Sequence, residues 1–335
     1  MSTQEIRIVA EIANGHEGNV DQALLLLKAA AGATADAAKF QVIYADELAT
    51  PDYMHYDLFR SLEMTDAEWE QIISLAEKLN VQIIVDVFGE RSLELAKHLG
   101  LQEIMIHATD LTNMPLIAKV AGSNWDTVIL GVGGACLREI EATVDKLSPS
   151  SLVIMVGFQG YPTPDDENQL LRISRLVEHF SSFENIKIGF ADHSLPDSPW
   201  VIPFSSVALG LGAQVFEKHL TLAESMMLLD NDSAINPDKF ARYSEGLRTC
   251  LEAMGEMVPT DNFGMYPAEE RYRNMVRRCV VTISQLKAGS VIGFNDLALK
   301  RPGKAGDFFE IDAVVGRILC RDVQANQPLL ADDVE

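Results

Sequence analysis

The sequence predicts an α/β chain in which a (β/α)8 TIM barrel is followed by a small β-rich domain. Three observations carry this. Short β-rich runs alternate with longer amphipathic segments through residues 1–255, and alternating βα units imply a parallel sheet covered by helices. Eight such runs in that length suit a closed barrel better than an open doubly wound sheet, and no GxGxxG follows the first of them. After Met254 the periodicity fades and short β-type runs with turns take over.

In chain order the strand candidates are "RIVAEI", "AAKFQVI", "QIIVDVF", "EIMIHA", "DTVILGV", "LVIMVGF", "IKIGF" and "AQVFEKH". Each is short, apolar and rich in β-branched residues, as buried parallel strands are. Helical patterns separate them, among them "VDQALLLLKAAAGA", "DAEWEQIISLAEKLN", "REIEATVDKL" and "ENQLLRISRLVEHF", and "PDKFARYSEGLRTCLEAM" closes the series. Residues 256–275 are polar, contain Pro and Gly and read as a linker. Residues 276–335 then form a small β-rich domain, marginal alone and expected to pack against something.

Composition narrows the function. Apolar residues make up 47% and charged residues 23% of the 335, values of an ordinary globular protein, and no run is long enough to span a membrane. The N-terminus shows no secretory pattern, and the four cysteines lack disulfide or metal-ligand spacing, so a reducing cytoplasm is the expected location. A formal charge of −22 argues against a nucleic-acid partner or an anionic membrane surface. An anionic substrate would have to meet local cations or a metal ion.

In such a barrel, reactive groups sit at the C-terminal strand ends and in the loops beyond. That rule nominates Glu11 and His16, Lys39 and Gln41, Asp86, His107 and Asp110, Gln159 and Tyr161, His193, and Glu217 with His219. His193 and His219 follow the seventh and eighth strands, which are neighbours in a closed barrel. Neutral imidazole is a common metal ligand, so the pair is a candidate site for one divalent ion, with Mn²⁺, Zn²⁺, Co²⁺ and Mg²⁺ all compatible. Each ring is equally readable as a structural, hydrogen-bonded histidine. Lys39 interrupts an apolar strand and needs a carboxylate partner or an anionic ligand. Glu11 and Glu217 are either general acid/base groups whose pKa burial raises, or partners for Lys39 or Lys218. Gln159 and Tyr161 would hydrogen-bond a sugar or shape a Pro-rich turn.

The motifs "AEIANGHEGN", "AAKFQ", "TNMPLI", "YPTPDDEN", "GFADHS", "EKHLTL", "INPDKF" and "LKRPG", in this order and spacing, resemble those of the sialic acid synthase family across the whole chain. The resemblance implies a metal-dependent TIM barrel with a C-terminal antifreeze-like (SAF) domain. It implies condensation of phosphoenolpyruvate with an N-acetylated hexosamine, typically N-acetylmannosamine, to a nine-carbon 2-keto-3-deoxy acid. By the same resemblance His193 and His219 hold the metal, most often Mn²⁺ and alternatively Mg²⁺ or Co²⁺. Glu11 and Glu217 are the acids, and Lys39 faces phosphoenolpyruvate. Gln41, Tyr161 and Asp230 face the sugar, and Arg301 enters from the SAF domain of a second copy, implying a domain-swapped homodimer. Cell-surface glycan or capsule synthesis would be the destination.

The chain departs from the family pattern at several positions. Gly15 stands for an asparagine, Met105 for a lysine, Ala108 and Ala191 for serines, Asp110 for a glutamate, Asp86 for a threonine and Gln159 for an asparagine, while "MMLLD" replaces an arginine-containing loop. Several lost groups would touch phosphate, and each hydrogen bond to a charged group is worth about 1.5–3 kcal/mol. His107, Lys39 and main-chain amides must substitute, or the donor differs. Two alternatives follow: a synthase for another acceptor, of the legionaminic or pseudaminic type, and a catalytically silent carbohydrate-binding relative.

Overall fold

The computed structural model describes residues 5–147, 150–157, 160–255 and 263–335, and the chain divides into two compact units, Met1–Gly255 and Glu256–Glu335. The first is a TIM barrel. Its strands are β1 (Arg7–Ala13), β2 (Ala37–Val42), β3 (Gln82–Val87), β4 (Glu103–Ile106), β5 (Thr127–Gly131), β6 (Ser151–Gly157), β7 (Ile186–Asp192) and β8 (Val215–His219), all parallel and closed by β1 pairing with β8.

Strand side chains alternate between faces, so each strand contributes one set of residues to the barrel interior and one to the helical layer. Outward-facing Ile8, Phe40, Val85, Ile104 and Phe190 join the large core under the helices. Inward-facing Val9, Ala37, Ile84, Met105, Ile129, Val153 and Val215 form a separate apolar plug inside the barrel. One step further along the same faces, the interior turns ionic: Glu11 follows Val9, Lys39 follows Ala37, Asp86 follows Ile84 and Glu217 follows Val215. The register aligns Glu11 with Lys39 on β2 and with His219 on β8, which brings these groups to one level.

The same alternation separates the two lysines. Lys218 is turned outward, where it pairs with Asp192 Oδ1 at 2.5 Å and donates to Ser194 O at 2.8 Å, so it is no partner of Glu11 or Glu217. Lys39 takes that role.

The helices begin where the sequence offers caps. Asn19 accepts from Gln22 N to start α1 (Val20–Gly32), whose Ala23, Leu26, Leu27 and Ala30 are buried at helical spacing. Between β2 and β3 lie two short helices, α2 (Ala45–Leu48) and α3 (Tyr56–Leu62), before α4 (Asp66–Leu79), which opens with a Thr65–Glu68 capping box. Such a cap is worth about 1 kcal/mol.

His16 lies past β1 but faces the core, fully buried, with its ring 6.1 Å from Trp69 and 6.3 Å from Phe40, and its Nδ1 accepts from Gly18 N. Burial disfavours the cation and lowers its pKa to about 4. The unfolded chain, with an ordinary histidine near 6.5, therefore takes up this proton first. Stability from this group is complete above about pH 6.5 and is lost as pH falls toward 4, by roughly 3 kcal/mol in total. Chemical denaturation should show the pH slope in that window reduced by about 1.4 kcal/mol per pH unit in His16→Gln, and identical slopes would contradict it.

The second unit centres on the antiparallel pair β9 (Cys279–Thr282) and β10 (Leu297–Lys300), with isolated bridges such as Leu286–Val323 and Leu319–Val334. Val280, Ile292, Leu297, Val314, Leu319, Val323, Leu329 and Val334 make its core. Part of the segment read as a linker is helical, Pro267–Val276, and residues 256–262 lie outside the described ones. Proline in its first turn and Glu269 and Glu270 at its positive end favour the helix. It buries no residue, so it has no apolar stripe for a sequence reading to find.

Candidate active site

A cavity of about 870 Å³ opens at the C-terminal end of the barrel. At its floor stands the ionic layer. Lys39 Nζ lies 2.6 Å from Glu11 Oε2, 2.9 Å from Glu217 Oε2 and 3.5 Å from Asp86 Oδ1, with all four side chains buried. The thioether of Met105 completes the shell at 2.9 Å. Met105 has room because Gly131 faces it: a Cβ there would come within 2.7 Å of the methionine methyl.

One ammonium serves three carboxylates. Burial alone would lower the lysine pKa, but Asp86, Glu11 and Glu217 outweigh it and raise it, so Lys39 remains a cation. Burial raises the Glu11 pKa well above the usual carboxylate range. Lys39 opposes this, but Glu217 and Asp86 add to it. A carboxyl with a raised pKa is suited to hold and release a proton, and Glu11 Oε1 accepts from Ala13 N at 2.7 Å.

Above this layer, His193 and His219 meet with ring centroids 5.2 Å apart. Tyr161 packs edge-on against both, at 5.8 and 5.5 Å, and its hydroxyl donates to the carbonyl of Asp230. His193 Nδ1 lies 3.1 Å from Ala191 O, and a carbonyl only accepts, so Nδ1 carries the proton and Nε2 the lone pair. Burial lowers the His193 pKa to about 4. His219 is held well below its ordinary value by burial first, with His193, Lys218 and Lys39 adding to it. Both imidazoles are neutral at pH 7, the form that ligates metals, and the carbonyl-anchored Nδ1 of His193 is the kind of outer contact that orients such a ligand. No group of three or more His, Cys, Asp or Glu side chains is disposed to hold an ion among the described residues. Two neutral imidazoles facing one cavity are donors of the kind a divalent ion takes, and they are the pair this site offers.

The cavity gathers most of the nominated residues. Gln41, Asp86, His107, Tyr161 and Asp230 line it together with Glu11, Lys39, Glu217 and the histidines. Asp230 adopts a left-handed conformation, φ 62°, and accepts from Asn14 N at 3.0 Å, while burial raises its pKa. His107 stands at the mouth, 5.5 Å from Phe88. Asp110 does not line the cavity: its carboxylate accepts from Asn113 and Thr109 within its own turn. His16 is in the core, as described. Gln159 lies outside the described residues. Arg301 belongs to the second unit, where it is exposed and donates to Val276 O at 2.6 Å.

Several lining residues escape the strand-end rule. Tyr53, His55 and Phe59 come from the segment between β2 and α4, and Glu139 from a helix following β5. The aromatic run "YMHYDLF" was the available signal for the first three.

Comparison with known proteins decides the family. A model of the NeuB family matches residues 26–259, and a SAF domain model matches 277–335. The chain belongs to the NeuB family. Among relatives of this NeuB chain, N,N'-diacetyllegionaminic acid synthase of Legionella pneumophila is 27% identical over 98% of this chain and 94% of the relative. The crystal structure of N-acetylneuraminic acid synthetase from Leptospira borgpetersenii, in complex with citrate, superposes with a TM-score of 0.72 at 25% identity, covering 82% of this chain and 94% of that one. A putative spore coat polysaccharide biosynthesis protein E from Chromobacterium violaceum, 23% identical, shares the fold over 99% of this NeuB chain and 100% of its own with a TM-score of 0.83. No helix among the described residues is long and apolar enough to cross a membrane.

Proposed function

We propose that this chain condenses phosphoenolpyruvate with an N-acetylated hexosamine of the N-acetylmannosamine kind, giving a nine-carbon 2-keto-3-deoxy acid and phosphate. The observation that carries this reading is the placing of two neutral imidazoles over a buried lysine–carboxylate layer in one cavity. His193 and His219 would hold a divalent ion, Mn²⁺ by preference, and such an ion would supply Lewis-acid polarisation for a carbonyl oxygen of the open-chain sugar. Tyr161, Asp230 and Gln41 orient the sugar hydroxyls. Lys39 offsets charge on the three-carbon donor as its C3 attacks the aldehyde carbon. Glu11 or Glu217 takes a proton from the water that adds to the donor's C2 cation, the former aldehyde oxygen takes up a proton to become a hydroxyl, and the C–O bond to phosphate then breaks as the new C2 hydroxyl loses its proton and becomes the keto oxygen. Arg301 of a second copy, in a domain-swapped homodimer, would bring a further cation to the mouth. The product would feed cell-surface glycan or capsule assembly.

A specific observation supports each of two further readings. Among the described residues the cavity is lined by five carboxylates, Glu11, Asp86, Glu139, Glu217 and Asp230, against one lysine and no arginine. A phosphate-bearing donor finds little positive charge there, which favours a silent sugar-binding relative, while "MMLLD" in place of the family's arginine-containing loop favours a synthase with a different acceptor of the legionaminic or pseudaminic type. The test is phosphate release from phosphoenolpyruvate with Mn²⁺ and a panel of N-acetylated sugars. Release with N-acetylmannosamine supports the main reading, and release with another sugar selects the second. Sugar binding without release supports the third, and absence of both sinks all three.

A further inference from the structure

His193 stands one residue beyond the end of β7, where the ladder to β8 stops at the pairing of Asp192 with Lys218. Strand pairing therefore does not fix its position. Its ring Nδ1 is anchored on Ala191 O, so the imidazole goes wherever the backbone of 191–194 is held.

Three consecutive carbonyls of that turn are tied down. The carbonyl of His193 accepts from Thr163 N and from Ser233 Oγ, each at 2.8 Å. Those on either side of it, Asp192 O and Ser194 O, accept from Lys218 Nζ at 3.3 and 2.8 Å. An ammonium has three N–H donors, and the third goes to Asp192 Oδ1 at 2.5 Å. The same carboxylate accepts from Ser194 N and Ser194 Oγ, which closes the turn. Lys218, Asp192 and Ser194 are all buried.

Lys218 also lies between Glu217 and His219 on β8, so one side chain links the strand that carries the second imidazole to the turn that carries the first. Charge pairing alone does not account for it. Replacing a buried ion pair by apolar side chains of similar volume is often neutral for stability. An apolar side chain cannot, however, hold the two carbonyls that flank an imidazole. Lys218 does not line the cavity, so it reaches a ligand there only through the histidines. We infer that Lys218 is a positioning residue, which fastens the turn at 192–194 to β8 and so sets the His193 ring 5.2 Å from that of His219. The inference rests on the reading of the imidazole pair as a metal site and names what holds that pair in register.

The test is a Co²⁺ titration of the full chain after chelator treatment and dialysis, followed by the visible absorption of the bound ion. Two variants are compared with the parent, Lys218→Met and the double change Asp192→Asn/Lys218→Met. The second leaves no unpaired carboxylate in the interior and keeps an acceptor for Ser194 N, and either variant serves if its circular dichroism matches the parent's. Outer contacts of metal-binding histidines typically change affinity 10–100-fold, so Co²⁺ should bind at least about tenfold more weakly, with an altered absorption spectrum. Val144→Ala is the control, a core truncation in the helix Leu137–Leu147 that should lower stability to urea. Being remote from the turn, it should leave Co²⁺ affinity within about twofold. Parent-like affinity in the folded Lys218 variants, or an equal loss in Val144→Ala, overturns the inference and leaves the metal reading intact. A parent that binds Co²⁺ no more tightly than His219→Ala overturns both.

Discussion

Turnover in His219→Ala is expected to fall by at least about 10³-fold, because the divalent ion proposed at His193 and His219 would supply several kcal/mol of transition-state stabilisation. The substitution removes one of two imidazoles whose rings stand 5.2 Å apart, and no third His, Cys, Asp or Glu among the described residues is placed to replace it. Divalent metal content after dialysis should fall in parallel, which separates metal loss from a general loss of activity. The ring ends β8 and its neighbours β1 and β7 keep their backbone pairing, so circular dichroism should be unchanged. A variant that turns over normally in chelator-treated buffer removes the metal assignment.

Lys39→Met should be among the most damaging changes to stability. Three buried carboxylates would lose their shared cation, and breaking a buried ion pair from one side costs about 3–5 kcal/mol. The sign of the pH dependence follows from the carboxylates. Without the ammonium, which opposes the effect of burial, the folded-state pKa of Glu11 rises further above that of the unfolded chain. The folded variant then binds a proton that the unfolded chain has released, so its stability should increase as pH falls through the raised folded-state value and decrease as pH rises. Adding Glu11→Gln to Lys39→Met should recover part of the loss by removing one buried charge. Urea unfolding checks both statements. A single variant within about 1 kcal/mol of the parent would mean that the cluster is better hydrated than its burial indicates.

Much of this site is legible in the sequence because a barrel turns strand order into spatial order. His193 and His219 could be paired from their positions after the seventh and eighth strands alone, and the inward phase of "AAKFQV" forces Lys39 to find carboxylates. What the sequence does not distinguish is phase at neighbouring positions. Glu217 and Lys218 differ by one residue, yet one faces the barrel interior and the other the helical layer, where Asp192 awaits it. His16 fails the strand-end rule because the turn after β1 folds its ring back onto Phe40 and Trp69. Asp110 fails it because neighbouring Thr109 and Asn113 satisfy its carboxylate locally.

The apolar plug of Val9, Ala37, Ile84, Ile129, Val153 and Val215 has a kinetic consequence. It fills the barrel beneath Lys39, so the deep end of the cavity is reached from the C-terminal mouth. Whichever reactant seats deeper must arrive first, and its remnant must depart last. Steady-state kinetics should accordingly be sequential and ordered, with the outermost product acting as a gatekeeper on release.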